Sequence, residues 1–222
     1  MGDEARILIV CTGNICRSPF IERLLQHELD ERRPGSVPGA PGIIVRSAGT
    51  GALVGSAMDP QAAAQLKAHG GDPSGFSARD LTPALIAESD LVLTATREHR
   101  GKVARMSPAA MRRVFTFRDF AHLVAGIDGP APVGAAAAPM SSRDWVRHVA
   151  DKAAASRGLK PPLSPDLADI VDPYRREDEV FATMAQQVLG SLPAVVHALV
   201  GELPEDYRDA RRLVSEDVDP RL

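Results

Sequence analysis

Residues 5–19 read Ala5-Arg6-Ile7-Leu8-Ile9-Val10-Cys11-Thr12-Gly13-Asn14-Ile15-Cys16-Arg17-Ser18-Pro19. Arg6 to Cys11 is a short aliphatic run that ends at a Gly-Asn turn signal, the pattern of a strand buried on both faces. Beyond it, Phe20, Ile21, Leu24, Leu25 and Leu29 recur at helical spacing, which predicts a helix from Ser18 to about Arg32. Ser18 would cap that helix and Pro19 would occupy its first position. A strand, a tight loop and a helix in immediate succession open an α/β fold.

The alternation continues outward from this passage. A Pro/Gly-rich stretch, Pro34 to Gly42, leads to a second strand at Ile43 to Ser47 and an Ala-rich helix from Asp59 to His69. A third strand is expected at Leu91 to Ala95, then a basic helix, then a fourth strand near Val114 to Phe117. The expected fold is α/β: a four-stranded parallel sheet with helices on both faces. From about 119 to 168 the composition shifts toward Pro, Gly and Ala, which predicts a surface insertion holding one helix around Trp145 and Val149. A last long helix from Glu177 to Leu203, kinked at Pro193, would complete a domain over residues 1–203. Residues 204–222 form a charged tail.

With 222 residues, 44% hydrophobic and 25% charged, the chain has the balance of a globular protein. No apolar run approaches the roughly 18 residues of a membrane span, and Ile7 to Val10 is too short for a signal peptide. No membrane insertion is expected, and the cytoplasm is the default location. A net charge of −3 supplies no field for nucleic acid, and the Arg-rich stretch from Arg97 to Arg113 lacks interleaved aromatics. Two cysteines, Cys11 and Cys16, are too few for a disulfide framework or a four-cysteine zinc site. No metal or cofactor is expected.

The loop between the first strand and the first helix has the makings of an anion cradle. Its backbone N–H groups and the helix dipole favour negative charge. Arg17 can fork two N–H groups onto two phosphate oxygens, and Gly13 removes bulk and allows positive φ. Such surroundings also favour the thiolate of a cysteine, placing Cys11 for in-line attack on phosphorus. That chemistry needs a proton donor for the leaving oxygen. Asp172, in Ile170-Val171-Asp172-Pro173-Tyr174, fits general acid and then general base, with Tyr174 beside it to stack on an aromatic group. From the dipeptide alone, a turn or helix start at Asp172-Pro173 is the commoner reading.

Taken together, these residues resemble the low-molecular-weight protein tyrosine phosphatase family. The resemblance rests on Val10 to Pro19, on Ser47-Ala48-Gly49-Thr50-Gly51, on Lys67 to Gly70 with Ser77-Ala78-Arg79, and on Asp172-Pro173-Tyr174. It implies a phosphate-binding loop after the first strand, Cys11 as nucleophile, Arg17 as phosphate clamp and Asp172 as acid and base. Thr12, Gly13, Asn14, Ile15, Cys16, Ser18, Leu53 and Tyr174 would contact substrate. Ser18 would also hydrogen-bond the thiolate, and Asn14, Ser47 and His69 would support the strained loop. Gly51-Ala52-Leu53-Val54-Gly55, where many family members carry a tryptophan, and Tyr174-Arg175, where eukaryotic members have two tyrosines, resemble the bacterial branch that dephosphorylates tyrosine kinases of polysaccharide export. A more open cleft follows, with Arg175 and Arg176 available to acidic residues. The expected partner is a phosphotyrosine protein, with a tyrosine kinase as candidate. Two other readings share the loop: a thiol-dependent arsenate reductase, which needs resolving thiols beyond Cys16, and a non-catalytic phosphotyrosine-binding module. Cys16 is close enough in sequence to trap oxidised Cys11 as a disulfide.

Overall fold

The computed structural model describes residues 4–32, 42–127 and 141–200. Four strands, β1 (Ala5–Cys11), β2 (Ile43–Gly49), β3 (Leu91–Thr94) and β4 (Val114–Thr116), form one sheet in the order β2-β1-β3-β4. All pairings are parallel, with Ile7 opposite Val45 and Leu91, and Leu93 opposite Phe115. Every residue of β3 and β4 is buried, as a parallel sheet covered on both sides requires.

The period-2 alternation of β1 divides the core into two layers. Ile7 and Ile9 face a layer built by α1 (Arg17–Glu31), α2 (Pro60–Ala68), α5 (Phe117–Val124), α6 (Ser142–Ser156), α8 (Asp178–Leu189) and α9 (Leu192–Val200). Leu8 and Val10 face the opposite layer, closed by Ile86 of α3 (Pro83–Glu88), Val103 of α4 (Arg97–Met106) and Ala110 of the 3-10 turn Pro108–Arg113. A four-residue turn, α7 (Pro165–Ala168), precedes the Asp172 loop. The sheet and its two-sided cover are therefore those read from the sequence.

Three local expectations are corrected. First, α1 begins at Arg17 with Cys16 at the N-cap, and no side chain caps it. Ser18 lies inside the first turn, where its hydroxyl points back at the loop and is committed elsewhere. Second, the last helix does not run through to Pro193. It ends at Leu189 and restarts at Leu192, because Pro193 has no N–H to give to a preceding turn and is tolerated only near a helix start. The apolar stretch Asp178–Val200, with mean hydropathy 1.2, is thus two helices, half buried against the core. Third, α5 and α6, in the stretch 119–168 expected as a surface insertion, pack into the core. Phe120, Leu123 and Val124 of α5 and Val146, Val149, Ala150 and Ala153 of α6 are buried in the main core. Trp145 anchors α6 by donating from Nε1 to the Ala198 carbonyl at 3.0 Å. Arg147 and Arg143 reach Asp90, 2% exposed at the foot of β3, at 2.8 and 3.5 Å. Residues 128–140, with Ala135 to Ala138, and the 204–222 tail lie outside the described residues, as does most of Pro34 to Gly42.

If α6 is core, trimming it must cost what a core residue costs. Val149→Ala is expected to lower stability by about 2 kcal/mol, and Tm by about 6 °C, from two lost methyl groups and the space they leave. Thermal unfolding of the variant checks this; an unchanged Tm would restore the surface reading of this helix.

Candidate active site

The loop Cys11–Ser18 is shaped by its neighbours on three sides. The chain after β2 runs beside it, with Thr50 N–H donating to Cys11 O (2.9 Å), Gly51 N–H to Thr12 O (3.2 Å) and Leu53 N–H to Gly13 O (3.0 Å). Asp59 N–H donates to Ile15 O at 2.9 Å. Gly49 makes this approach possible: a Cβ there would lie 2.3 Å from Thr12 O, inside any allowed contact. Asn14, not Gly13, carries the left-handed turn, at φ +54°. Asn tolerates that region better than most side chains, because its short amide can bond locally.

Asn14 is fully buried, and its amide orientation follows from its partners. Oδ1 accepts the Arg79 backbone N–H at 2.9 Å, so Nδ2 faces Ser18 Oγ at 2.9 Å and Ser47 Oγ at 2.7 Å. Each serine, accepting from Asn14, has its own hydroxyl hydrogen to place elsewhere. Ser47 donates to Glu22 Oε2 at 2.5 Å, and Ser18 lies 2.9 Å from Cys11 Sγ as a donor to it. Donation thus runs outward from Asn14 in two directions, through Ser47 to Glu22 and through Ser18 to the sulfur. A hydrogen bond donated to sulfur stabilises the thiolate form.

Arg17 is 5% exposed and bridges the loop to the distant acid segment. Its Nη2 lies 2.7 Å from Asp172 Oδ2, and its Nη1 donates to Ile170 O at 3.4 Å. That segment is pinned by Ile170 N–H to Ala95 O (2.9 Å) and Val171 N–H to Gln187 Oε1 (2.9 Å). Asp172 itself is open to solvent, and Tyr174 N–H donates to its Oδ1 at 3.3 Å. A cavity of about 160 Å³ opens over the loop, bounded by Cys11, Arg17, Asp172, Ile15, Leu53 and Tyr174. A nucleophile, a cation and a carboxyl thus line one small pocket with apolar walls. Such a pocket suits a phosphate monoester of an aromatic group.

The family model described as low molecular weight phosphotyrosine protein phosphatase matches residues 6–137. The chain belongs to this family. It is 38% identical over 112 residues to the low molecular weight protein-tyrosine-phosphatase Wzb of Salmonella typhi, a match covering 50% of this chain and 68% of that protein. Among solved structures it resembles Vibrio vulnificus Wzb in complex with benzylphosphonate: TM-score 0.57, 26% identity, 86% of this chain and 97% of that one. The YwlE arginine phosphatase from Geobacillus stearothermophilus shares the fold at 23% identity and TM-score 0.57, covering 97% of this chain and 98% of that one.

In this phosphatase the residues singled out from sequence converge, with one exception. Cys11, Thr12, Gly13, Ile15, Cys16, Arg17, Leu53, Asp172 and Tyr174 line the pocket, with Asn14, Ser18 and Ser47 packed behind it. His69 does not join them. It is the exposed C-cap of α2, at the far end of the helix that starts beside the loop, and Glu22 holds Ser47 instead. Glu22 was missed although it sits four residues after Ser18 on the same face of α1; its partner comes from β2 and is not local. Cys16 is buried, and burial, with Asp59 beside it, pushes its thiol well above the usual range. Burial therefore disfavours its thiolate form. Arg175 stacks over the Tyr174 ring at 5.0 Å from its left-handed position, and Arg176 lies 3.8 Å from Glu177. A larger cavity of about 570 Å³ near α5 and α7 is cationic, but Arg157 and Lys160 there are committed to backbone carbonyls.

Burial raises the Glu22 carboxyl above its ordinary range, against the lowering effect of the Ser47 hydrogen bond. The folded state therefore binds this proton more tightly than the unfolded chain. Stability must fall as pH rises from the unfolded value near 4.5 through the raised folded value. Glu22→Gln, which keeps an acceptor for Ser47, removes that loss. Urea unfolding between pH 4 and 8 is expected to show the wild type losing ground to the variant as pH rises; parallel curves would contradict the assignment.

Proposed function

We propose that this chain hydrolyses phosphotyrosine in proteins through a phosphocysteine intermediate. The supporting observation is the shared pocket in which Cys11 Sγ, held by Ser18, lies with the Arg17–Asp172 pair at the mouth. In the resting site Arg17 holds Asp172. A bound phosphoryl group supplies stronger acceptors, so the guanidinium turns two N–H groups to its oxygens and the carboxyl is released toward the leaving oxygen. Asp172, once it leaves Arg17, takes up a proton from solvent; Cys11 Sγ attacks phosphorus, the S–P bond forms as the P–O bond to the phenol breaks, and Asp172 gives that proton to the phenolate. Asp172 then takes a proton from water, whose oxygen attacks phosphorus; the S–P bond breaks, releasing inorganic phosphate and the Cys11 thiolate. The loop and Arg17 carry the transition-state charge.

Leu53 and Tyr174, 45% and 42% exposed, wall the pocket mouth and suit the flat ring of a phenolic leaving group. The names of the relatives support a protein tyrosine substrate, and a tyrosine kinase is the partner class we favour. The reductase reading is weaker, because the whole chain has two cysteines and both belong to this loop. A binding module alone would need neither Cys11 nor Asp172.

Hydrolysis of an aryl phosphate in EDTA tests the reading. Wild type is expected to turn over, Cys11→Ser to be inactive, and Asp172→Asn to lose roughly 10²–10⁴-fold in kcat, as removal of a general acid does. Phosphotyrosine peptides are expected to outpace phosphoserine peptides. Equal turnover by Cys11→Ser would rule the mechanism out, and an inactive wild type would return the chain to phosphate binding.

A further inference from the structure

One buried imidazole next to the pocket has no part in the steps above. His99 is 3% exposed on the first turns of α4, three residues after the N-cap Thr96. Its Nδ1 lies 2.7 Å from Thr96 Oγ1 and its Nε2 lies 2.8 Å from Thr12 Oγ1. Thr12 is exposed and lines the pocket with Cys11, Arg17 and Asp172. A histidine thus ties the capped start of a helix to a hydroxyl of the phosphate loop. We propose that His99 is a positioning residue that fixes the Thr12 hydroxyl as a hydrogen-bond donor to the phosphoryl group in the cleft. This rests on the phosphatase reading of the site.

Counting hydrogens allows two polarities, and the charge held in the cleft chooses between them. Burial, with Arg17 next, pushes the imidazole down to about 4, so near neutral pH the ring carries one hydrogen and one free lone pair. Lys102 adds to that depression, while Glu98 and Asp172 oppose it. Thr96 Oγ1 already accepts the His99 backbone N–H as the helix cap, at 3.3 Å. Its own hydrogen is free to go to Nδ1, which leaves the ring hydrogen on Nε2. Nε2–H then donates to Thr12 Oγ1, and the Thr12 hydrogen is directed into the cleft. The other tautomer would draw the Thr12 hydrogen back to Nε2 and present a lone pair to an anionic substrate. Only the first arrangement adds a donor where negative charge must be held.

A double-mutant cycle on aryl phosphate hydrolysis and inorganic phosphate binding tests this. Thr12→Val is expected to lower kcat/KM and weaken phosphate about tenfold, the scale of one hydrogen bond to a charged group, and Thr12→Ser to restore both. His99→Phe is expected to match Thr12→Val, and the double variant to lose no more than either. His99→Gln, whose amide N–H can reach Thr12, is expected to recover much of the loss. Additive losses would overturn the proposal, as would wild-type phosphate affinity in Thr12→Val. If His99→Phe does not fold, the ring ¹⁵N shifts of the wild type give the tautomer directly. A hydrogen on Nε2 supports the proposal and a hydrogen on Nδ1 overturns it. Phosphate binding and the ring shifts are read without turnover, so an enzyme inactive on aryl phosphates would sink the phosphatase reading and still leave this result interpretable.

Discussion

Asn14 holds a left-handed backbone at φ +54° and commits its whole amide, accepting from Arg79 and donating to Ser18 and Ser47. Those three bonds do two jobs. They fix a turn that most side chains would resist, and they set which way every hydroxyl in the buried chain points. Because Ser18 receives a hydrogen from Asn14, it has one to give to Cys11. At the far end Glu22, which burial raises above its ordinary range, takes the hydrogen of Ser47. The nucleophile is therefore governed by donor direction along a chain of neutral amide and hydroxyl groups. Cations act at the pocket mouth, through Arg17.

The fold supplies the rigidity on which that direction depends. The loop is gripped by backbone bonds from residues 50–53 and by Asp59, and Gly49 lets two chains pass at a distance no side chain would permit. Arg17 draws the Asp172 segment to the loop, and that segment is in turn held by Ala95, the residue after β3, and by α8 through Gln187. Arg97 on α4 adds an ion pair to Asp169 at 3.2 Å, so the helix that carries His99 also braces the acid segment. The second layer of the sheet is thus tied to the chemistry and is more than a cover.

What was legible in the sequence was local. The aliphatic run of β1, the loop and the periodic face of α1 needed only neighbouring residues, and the Ala-rich run after Asp59 forms a helix where one was expected. Assignments that depended on distant partners were harder. His69 had the right residue type but the wrong end of α2, while Glu22 meets a partner, Ser47, that only the fold brings near. His99 lay in a stretch read only as a basic helix, and its partner Thr12 is far away in the chain. Ser18 next to Pro19 has the look of a cap, but the hydroxyl is worth more against Cys11 and Asn14. In α6 the apolar positions Val146, Val149, Ala150 and Ala153 follow helical spacing, yet small residues and Pro/Gly-rich flanks masked a core helix. Fold neighbours alone do not choose a substrate either, since an arginine phosphatase shares the architecture. The case for a phenolic leaving group rests on Leu53 and Tyr174 at the mouth.

The central claim is that phosphorus passes through the sulfur of Cys11. Rapid mixing with an aryl phosphate, quenching in acid within the first turnovers and mass spectrometry of the peptides address it directly. Asp172→Asn, slow to hydrolyse the intermediate, would make it accumulate once formed. One phosphoryl group on Cys11, absent from Cys11→Ser, is the expected result. A phosphoryl group on another residue, or none while turnover proceeds, would contradict the account.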